Sequence, residues 1–177
     1  MNLTFLILGI AVLIAFGFFL NWWGKQPAKY RLNIAEGDFR NYIEALLYRG
    51  YDRGFMIVEA PDGKRFIQFR KYIKKKNQVG LQFDFPRAPW SAEYVQPLKD
   101  SLSQHKFNYE IQHVTPVPKL KPEDQVSEFI VVDLSQDLDA AVELTKLVLL
   151  EIFKLNPSNN VTVWYCNISI HVEKIGF

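Results

Sequence analysis

Hydrophobic positions along the chain fall into three patterns. The first is continuous: Leu3 to Leu20 (LTFLILGIAVLIAFGFFL) contains 13 Leu, Ile, Val or Phe residues and no charged one, and Asn21, Trp22 and Trp23 close it. About 20 residues at ~1.5 Å each match the roughly 30 Å hydrocarbon core of a bilayer, and the apolar side chains favour insertion by about 5 kcal/mol. The run predicts one transmembrane helix within residues 1–23. A cleaved signal peptide fits less well, because no basic residue precedes Leu3 and bulky Phe18, Phe19, Trp22 and Trp23 stand where small residues would be cut. A core helix apolar on all sides would need a much larger body around it.

The second pattern repeats at three and four residues. Phe39, Ile43, Leu46 and Leu47, with Tyr42 beside them, make one face of a helix over Glu36–Arg49 that Gly50 stops. Leu138, Ala141, Val142, Thr145, Val148, Leu149, Ile152 and Phe153 make a second, ended by Asn156-Pro157. Tyr94, Val95, Leu98 and Leu102 make a third between Trp90 and Gln104, with Ser91 as its cap and Pro97 predicting a kink or a late start near Val95.

The third pattern alternates. Phe55–Ala60 and Arg65–Arg70 flank Pro61-Asp62-Gly63, a hairpin signal. Val79 to Phe85 and Phe107 to Val114 alternate apolar with polar, and Val161 to His171 is β-branched and aromatic. Val126–Leu134 holds the unbroken apolar stretch Phe129–Val132, which predicts a central strand covered on both faces. From Val79 onward the order is strand, helix, strand, strand, helix, strand, as in ferredoxin-like folds. The expected fold class is therefore α+β: an N-terminal transmembrane helix, then one domain with a helix, a β-hairpin and a ferredoxin-like βαββαβ order, the longer helices on one face of the sheet. Residues 24–33, basic and broken by Pro27, are expected to be a linker, and residues 34–177 one soluble domain with a single core.

Composition excludes disorder, with 49% hydrophobic and 15% aromatic residues. Charge adds a direction. Lys25 to Lys76 holds 13 basic and 6 acidic residues, net +7, whereas Asn77 to Phe177 holds 8 and 13, net −5. The basic half would rest against anionic head groups. Trp22 and Trp23 read as interfacial aromatics and Lys25, Lys29 and Arg31 as flanking charges, which places the soluble domain on the cytoplasmic side of the cell membrane.

Candidate chemistry is sparse. The lone Cys166 allows no intrachain disulfide or CxxC site and reads as a small core residue; His105, His113 and His171 lie in different elements with no ligand pair among them, so neither metal nor other cofactor is expected. Asp133, Asp137 and Asp139 read as capping residues where a strand meets a helix. No nucleophile-elbow, zinc-protease, dinucleotide or P-loop pattern occurs. Arg70, Lys71, Lys74, Lys75 and Lys76, interleaved with Tyr72 and Ile73, read first as a solvated loop, then as a lipid contact, and nucleic acid is not expected. Arg87 and Trp90, set among Pro86 and Pro89, are candidates for partner contact, Trp90 also for the core. The functional expectation is a non-catalytic, membrane-anchored protein-interaction domain of assembly, adaptor or immunity type. The alternatives are a membrane-anchored enzyme assembled from Asp84, Asp133 and His113, or a binder of anionic lipid through the basic loop.

Overall fold

The alternating segments pair into one antiparallel sheet. The computed structural model describes residues 29–74, 78–114, 126 and 128–168. Its strands are β1 (Lys29–Asn33), β2 (Gly50–Glu59), β3 (Phe66–Lys74), β4 (Gln78–Arg87), β5 (Glu110–His113), β6 (Glu128–Ser135) and β7 (Asn160–Ile168), in the spatial order β1-β7-β2-β3-β4-β6-β5. Three helices accompany them: α1 (Phe39–Arg49), α2 (Ala92–Gln104) and α3 (Leu138–Leu147).

Local chemistry explains each element. Asp38 caps α1 by accepting from the Asn41 N–H, Asp137 caps α3 by accepting from Ala140, and the Gly50 N–H closes α1 on the Leu46 carbonyl. At the β2–β3 turn Gly63 takes φ +67°, and Asp62 Oδ1 accepts from the Lys64 and Arg65 amides at 2.9 and 3.1 Å. Ser91 precedes α2 but does not cap it through its side chain; its buried hydroxyl donates to the Pro86 carbonyl at 2.6 Å and accepts from the Ala88 N–H at 2.9 Å, tying the turn to the end of β4. Pro97 sits exposed inside α2, which starts at Ala92. After α3 the chain adds a π-helical turn, Val148–Ile152, in which the Phe153 N–H reaches back to the Val148 carbonyl at 2.8 Å. Leu149, Ile152 and Phe153 of this segment are all buried.

The registers divide the sheet into two faces. Leu32, Val58, Phe69, Phe83, Val132 and Val163 lie on one face, within the core cluster that also holds Phe39, Ile43, Leu46, Ala141, Leu144 and Val148 of the helical segments. Phe69 and Phe83 meet edge to face at 5.5 Å between centroids. At the β1 end, Tyr165 stacks on Tyr42 at 6.3 Å and donates its hydroxyl to the Tyr42 carbonyl at 2.9 Å.

Burial, with Tyr42 and Tyr30 nearby, pushes the Tyr165 phenol far above its ordinary value of 10.0. The folded protein therefore keeps a proton that the unfolded chain loses, and this stability is present below about pH 10 and lost as pH rises further. Thermal melts between pH 8 and 11 should show a steep alkaline fall that Tyr165→Phe makes shallower, although that variant starts about 1 kcal/mol less stable for want of the buried hydrogen bond. An unchanged alkaline slope would refute this.

The α+β class holds, but the expected fold class needs two corrections. β4, β6 and β5 keep the relative order of a ferredoxin-like sheet, yet β7, which that fold would lay beside β4, instead lies between β1 and β2. The physical reason is local: β3 follows β2 through a tight turn and β4 follows β3 closely, so sequential antiparallel pairing fills the edge of β4 first and leaves β7 the open edge of β2. The second correction concerns the membrane. Among the described residues no helix is long and apolar enough to cross a bilayer, the longest, α2, having 13 residues, so the described fold is a mostly antiparallel sheet with three helices and no single-pass span. The run 3–20, with Trp22, Trp23 and Lys25, lies outside the described residues. Lys29–Asn33, assigned to the linker by its charges, forms edge strand β1, with Leu32 buried and Lys29 and Arg31 exposed. β6 lies between β4 and β5 with Ile130, Val131 and Val132 all buried, as expected of a central strand, although among the described residues no helix lies over its second face.

Candidate functional site

That second face carries Gln68, Arg70, Tyr72 and Lys74 of β3, Gly80, Gln82 and Asp84 of β4, Val131 and Asp133 of β6, and Glu110 and Gln112 of β5, placed side by side by the registers. None belongs to the core cluster under the helices. A polar network spans the middle of the face. Asp84, with no exposed surface, accepts from Arg70 Nε and Nη2 at 3.0 and 2.7 Å and from Gln68 Nε2 at 3.1 Å through Oδ2, and from Gln82 Nε2 at 2.7 Å through Oδ1. Burial pushes its carboxyl up, against the downward pull of the Arg70 guanidinium and the two glutamine amides.

Beside the network, Tyr72 reaches from β3 across β4 to donate to Asp133 Oδ1 on β6 at 2.6 Å. It crosses at Gly80, where a Cβ would stand 2.3 Å from the phenolic oxygen and 2.4 Å from Cζ, so only glycine leaves room for the ring. Lys74 lies 4.5 Å from the same ring centroid and donates to Asp133 Oδ2 at 3.1 Å. Burial alone would raise the Asp133 carboxyl, but Tyr72, the Ser135 N–H and Lys74 together hold it below the usual carboxylate range. Between these groups and β5 runs an open trough of about 550 Å³, lined by Tyr72, Lys74, Gln82, Tyr109, Gln112 and Asp133 among others.

The expected site residues are dispersed. Arg70 and Lys74 flank this region, but each is held by a carboxylate. Lys71 sits on a strand and not in a loop, and the strand's alternation turns it to the core side, where its Nζ donates to the Gly50 carbonyl at 2.6 Å and burial pushes its pKa down. Lys75 and Lys76 lie outside the described residues, so the described part of the basic cluster presents no free cationic patch. Arg87 pairs with Glu128 at 2.6 Å, and Trp90 packs against Phe66 and Phe85 at 5.3 and 6.3 Å between centroids.

The residues named for an enzyme do not converge. Asp84 and Asp133 share the open face, but His113 takes a position on the opposite one, with Nδ1 3.2 Å from Glu128. His105 meets Glu143 at 2.9 Å, and His171 lies outside the described residues. Among the described residues no group of three or more His, Cys, Asp or Glu is arranged to hold a metal ion. Of the three aspartates read as caps, Asp137 caps α3, Asp139 pairs with Arg40 of α1, and Asp133 belongs to the trough. Half-buried Cys166 has its thiol pushed up by burial, which disfavours the thiolate.

Sequence reasoning missed Tyr72, Gln82, Tyr109 and Gln112 as a set. The one local signal was Gly80, a glycine inside an alternating strand, which marks a bulge or a close approach of another group. Compared with protein-family models, curated proteins and solved structures, the chain shows no match.

Proposed function

We propose that this chain is a non-catalytic protein-interaction domain, of assembly, adaptor or immunity type, which receives an extended segment of a partner protein in the trough between β3, β4, β6 and β5. The observation that carries the reading is the trough on the sheet face that none of the described helices covers. Its lining suits a polypeptide: the amides of Gln82, Asn108 and Gln112 offer donors and acceptors to a peptide backbone, and Tyr72 and Tyr109 offer ring surface. Lys74 and Asp133 largely cancel each other, so the occupant need not be strongly charged. A catalytic role finds less support, because the carboxylates that an enzyme would use are each already bound by donors of the same sheet.

Gly80→Ala tests this with little cost to folding. The new methyl group displaces the Tyr72 ring, the movable end of a side chain, and breaks its bond to Asp133 while leaving the core side of the sheet untouched. Affinity purification of the full chain should recover a stoichiometric partner, and Gly80→Ala and Tyr109→Ala should each lower its recovery roughly tenfold or more, in line with loss of an aromatic contact. Thermal unfolding of Gly80→Ala should stay within about 1 kcal/mol of the parent. Equal recovery by parent and both variants would overturn the proposal.

A further inference from the structure

β5 lies at the end of the sheet, hydrogen-bonded among the described residues to β6 on one side only. Strands in this position are normally protected by lysine, proline or a bulge. β5 is Glu110-Ile111-Gln112-His113, with no lysine, proline or bulge; its short length and the Glu110 carboxylate are the protection it has. It does carry exposed apolar surface: five large hydrophobic side chains are exposed among the described residues, and two of them, Tyr109 at 37% and Ile111 at 41%, lie on or beside this strand. The opposite edge is built differently. On β1, Lys29 and Arg31 share one face, and a second β1 laid antiparallel against it would bring cation against cation.

We infer that β5 pairs antiparallel with β5 of a second copy of this chain, joining two sheets into one across a two-fold axis perpendicular to them. Such an axis keeps the uncovered face of both copies on the same side, so only residues of the same face stand opposite each other. Three registers then remain. Centring on Glu110 opposes two carboxylates. Centring on Gln112 sets Ile111 against His113 and leaves Glu110 without a partner from the strand. Centring on Ile111 sets Ile111 against Ile111 and Glu110 against Gln112, the second pair occurring twice. This register alone sets Ile111 against itself and gives each Glu110 carboxylate an amide donor from the strand. The pairing of types already occurs within one copy, where Gln112 Nε2 donates to Glu110 Oε1 at 2.6 Å. Glu110 and Gln112 also line the trough, so the two troughs become one continuous surface across the axis.

The test uses the purified full chain. Sedimentation between about 1 and 100 μM should show a monomer–dimer equilibrium, weakened roughly tenfold or more by Ile111→Lys, which places like charges opposite each other. Ile111 is exposed, so this variant should keep the parent's circular dichroism and melting curve. In a Cys166→Ser background, Ile111→Cys should oxidise to a disulfide-linked dimer, since directly opposed Cα atoms about 4.5–5.5 Å apart meet disulfide geometry. The same change at Lys64, in the exposed β2–β3 turn, should not. A chain that stays monomeric throughout, a series of species larger than the dimer, or equal crosslinking at 111 and 64 would overturn the inference. Gly80→Ala should leave the dimer intact, so failure here is distinguishable from failure of the trough to bind a partner.

Discussion

Replacing Arg70 by methionine is expected to destabilise the protein by about 3–5 kcal/mol at neutral pH, the range for breaking a buried ion pair from one side. Asp84 has no exposed surface, and without the guanidinium its carboxylate keeps only the amides of Gln68 and Gln82. The pH dependence follows from the sign. Asp84 already has its folded pKa raised by burial, and loss of Arg70 raises it further, so the folded state binds the proton more tightly than the unfolded chain. The penalty is then smallest at low pH and grows as pH rises through the window above the ordinary carboxylate value of 3.8. Urea unfolding at pH 5 and pH 7.5 measures the difference, with the Arg70→Met deficit smaller at pH 5. The double variant Arg70→Met/Asp84→Leu should recover most of the stability, because no buried charge is then left alone. A single-variant loss below about 1 kcal/mol at both pH values would show that the pair is a surface ornament and not the centre of the open face.

Phe83→Ala should cost about 3–5 kcal/mol, the usual loss for emptying a buried aromatic site. Phe83 is fully buried on β4, stands edge-on to Phe69 and belongs to the cluster under the helices. Rigid strands on both sides of β4 limit collapse into the space, so the cavity term adds to the lost transfer free energy. Phe83→Leu should recover more than half of the loss. Chemical denaturation reads both, and equal stability of the alanine variant and the parent would mean that the core does not close around this ring.

These two residues show how unevenly the sequence could be read. Phe83 was legible as core from the alternation of Val79, Leu81, Phe83 and Phe85. Asp84, one position later, was equally legible as facing away from that core, but its complete burial was not, because burial there depends on Arg70, Gln68 and Gln82 folding over it from three positions that share no local pattern. Lys71 fails for the complementary reason. A run rich in lysine and arginine reads as a solvated loop, yet the strand continues through it and turns Lys71 inward onto the carbonyl that ends α1. The π-helical turn after α3 was also out of reach, since a helical period fitted to apolar positions does not register one inserted residue.

What the sequence determined by itself is what neighbouring residues settle among themselves. Period and alternation marked α1, the α3 segment and most strands; Asp62-Gly63 marked the β2–β3 turn, because a positive φ there needs a residue that tolerates it; and the charge division between the two halves is plain from counting. What only the tertiary structure decided is which edges meet. β7 lies beside β2 because the short β2–β3–β4 succession had already occupied the alternative, and the trough exists because Tyr72, Gly80 and Asp133, drawn from three strands, fall into one line across the sheet. Strand pairing is a competition among edges far apart in the chain, and the energies that settle it are absent from any single stretch of residues.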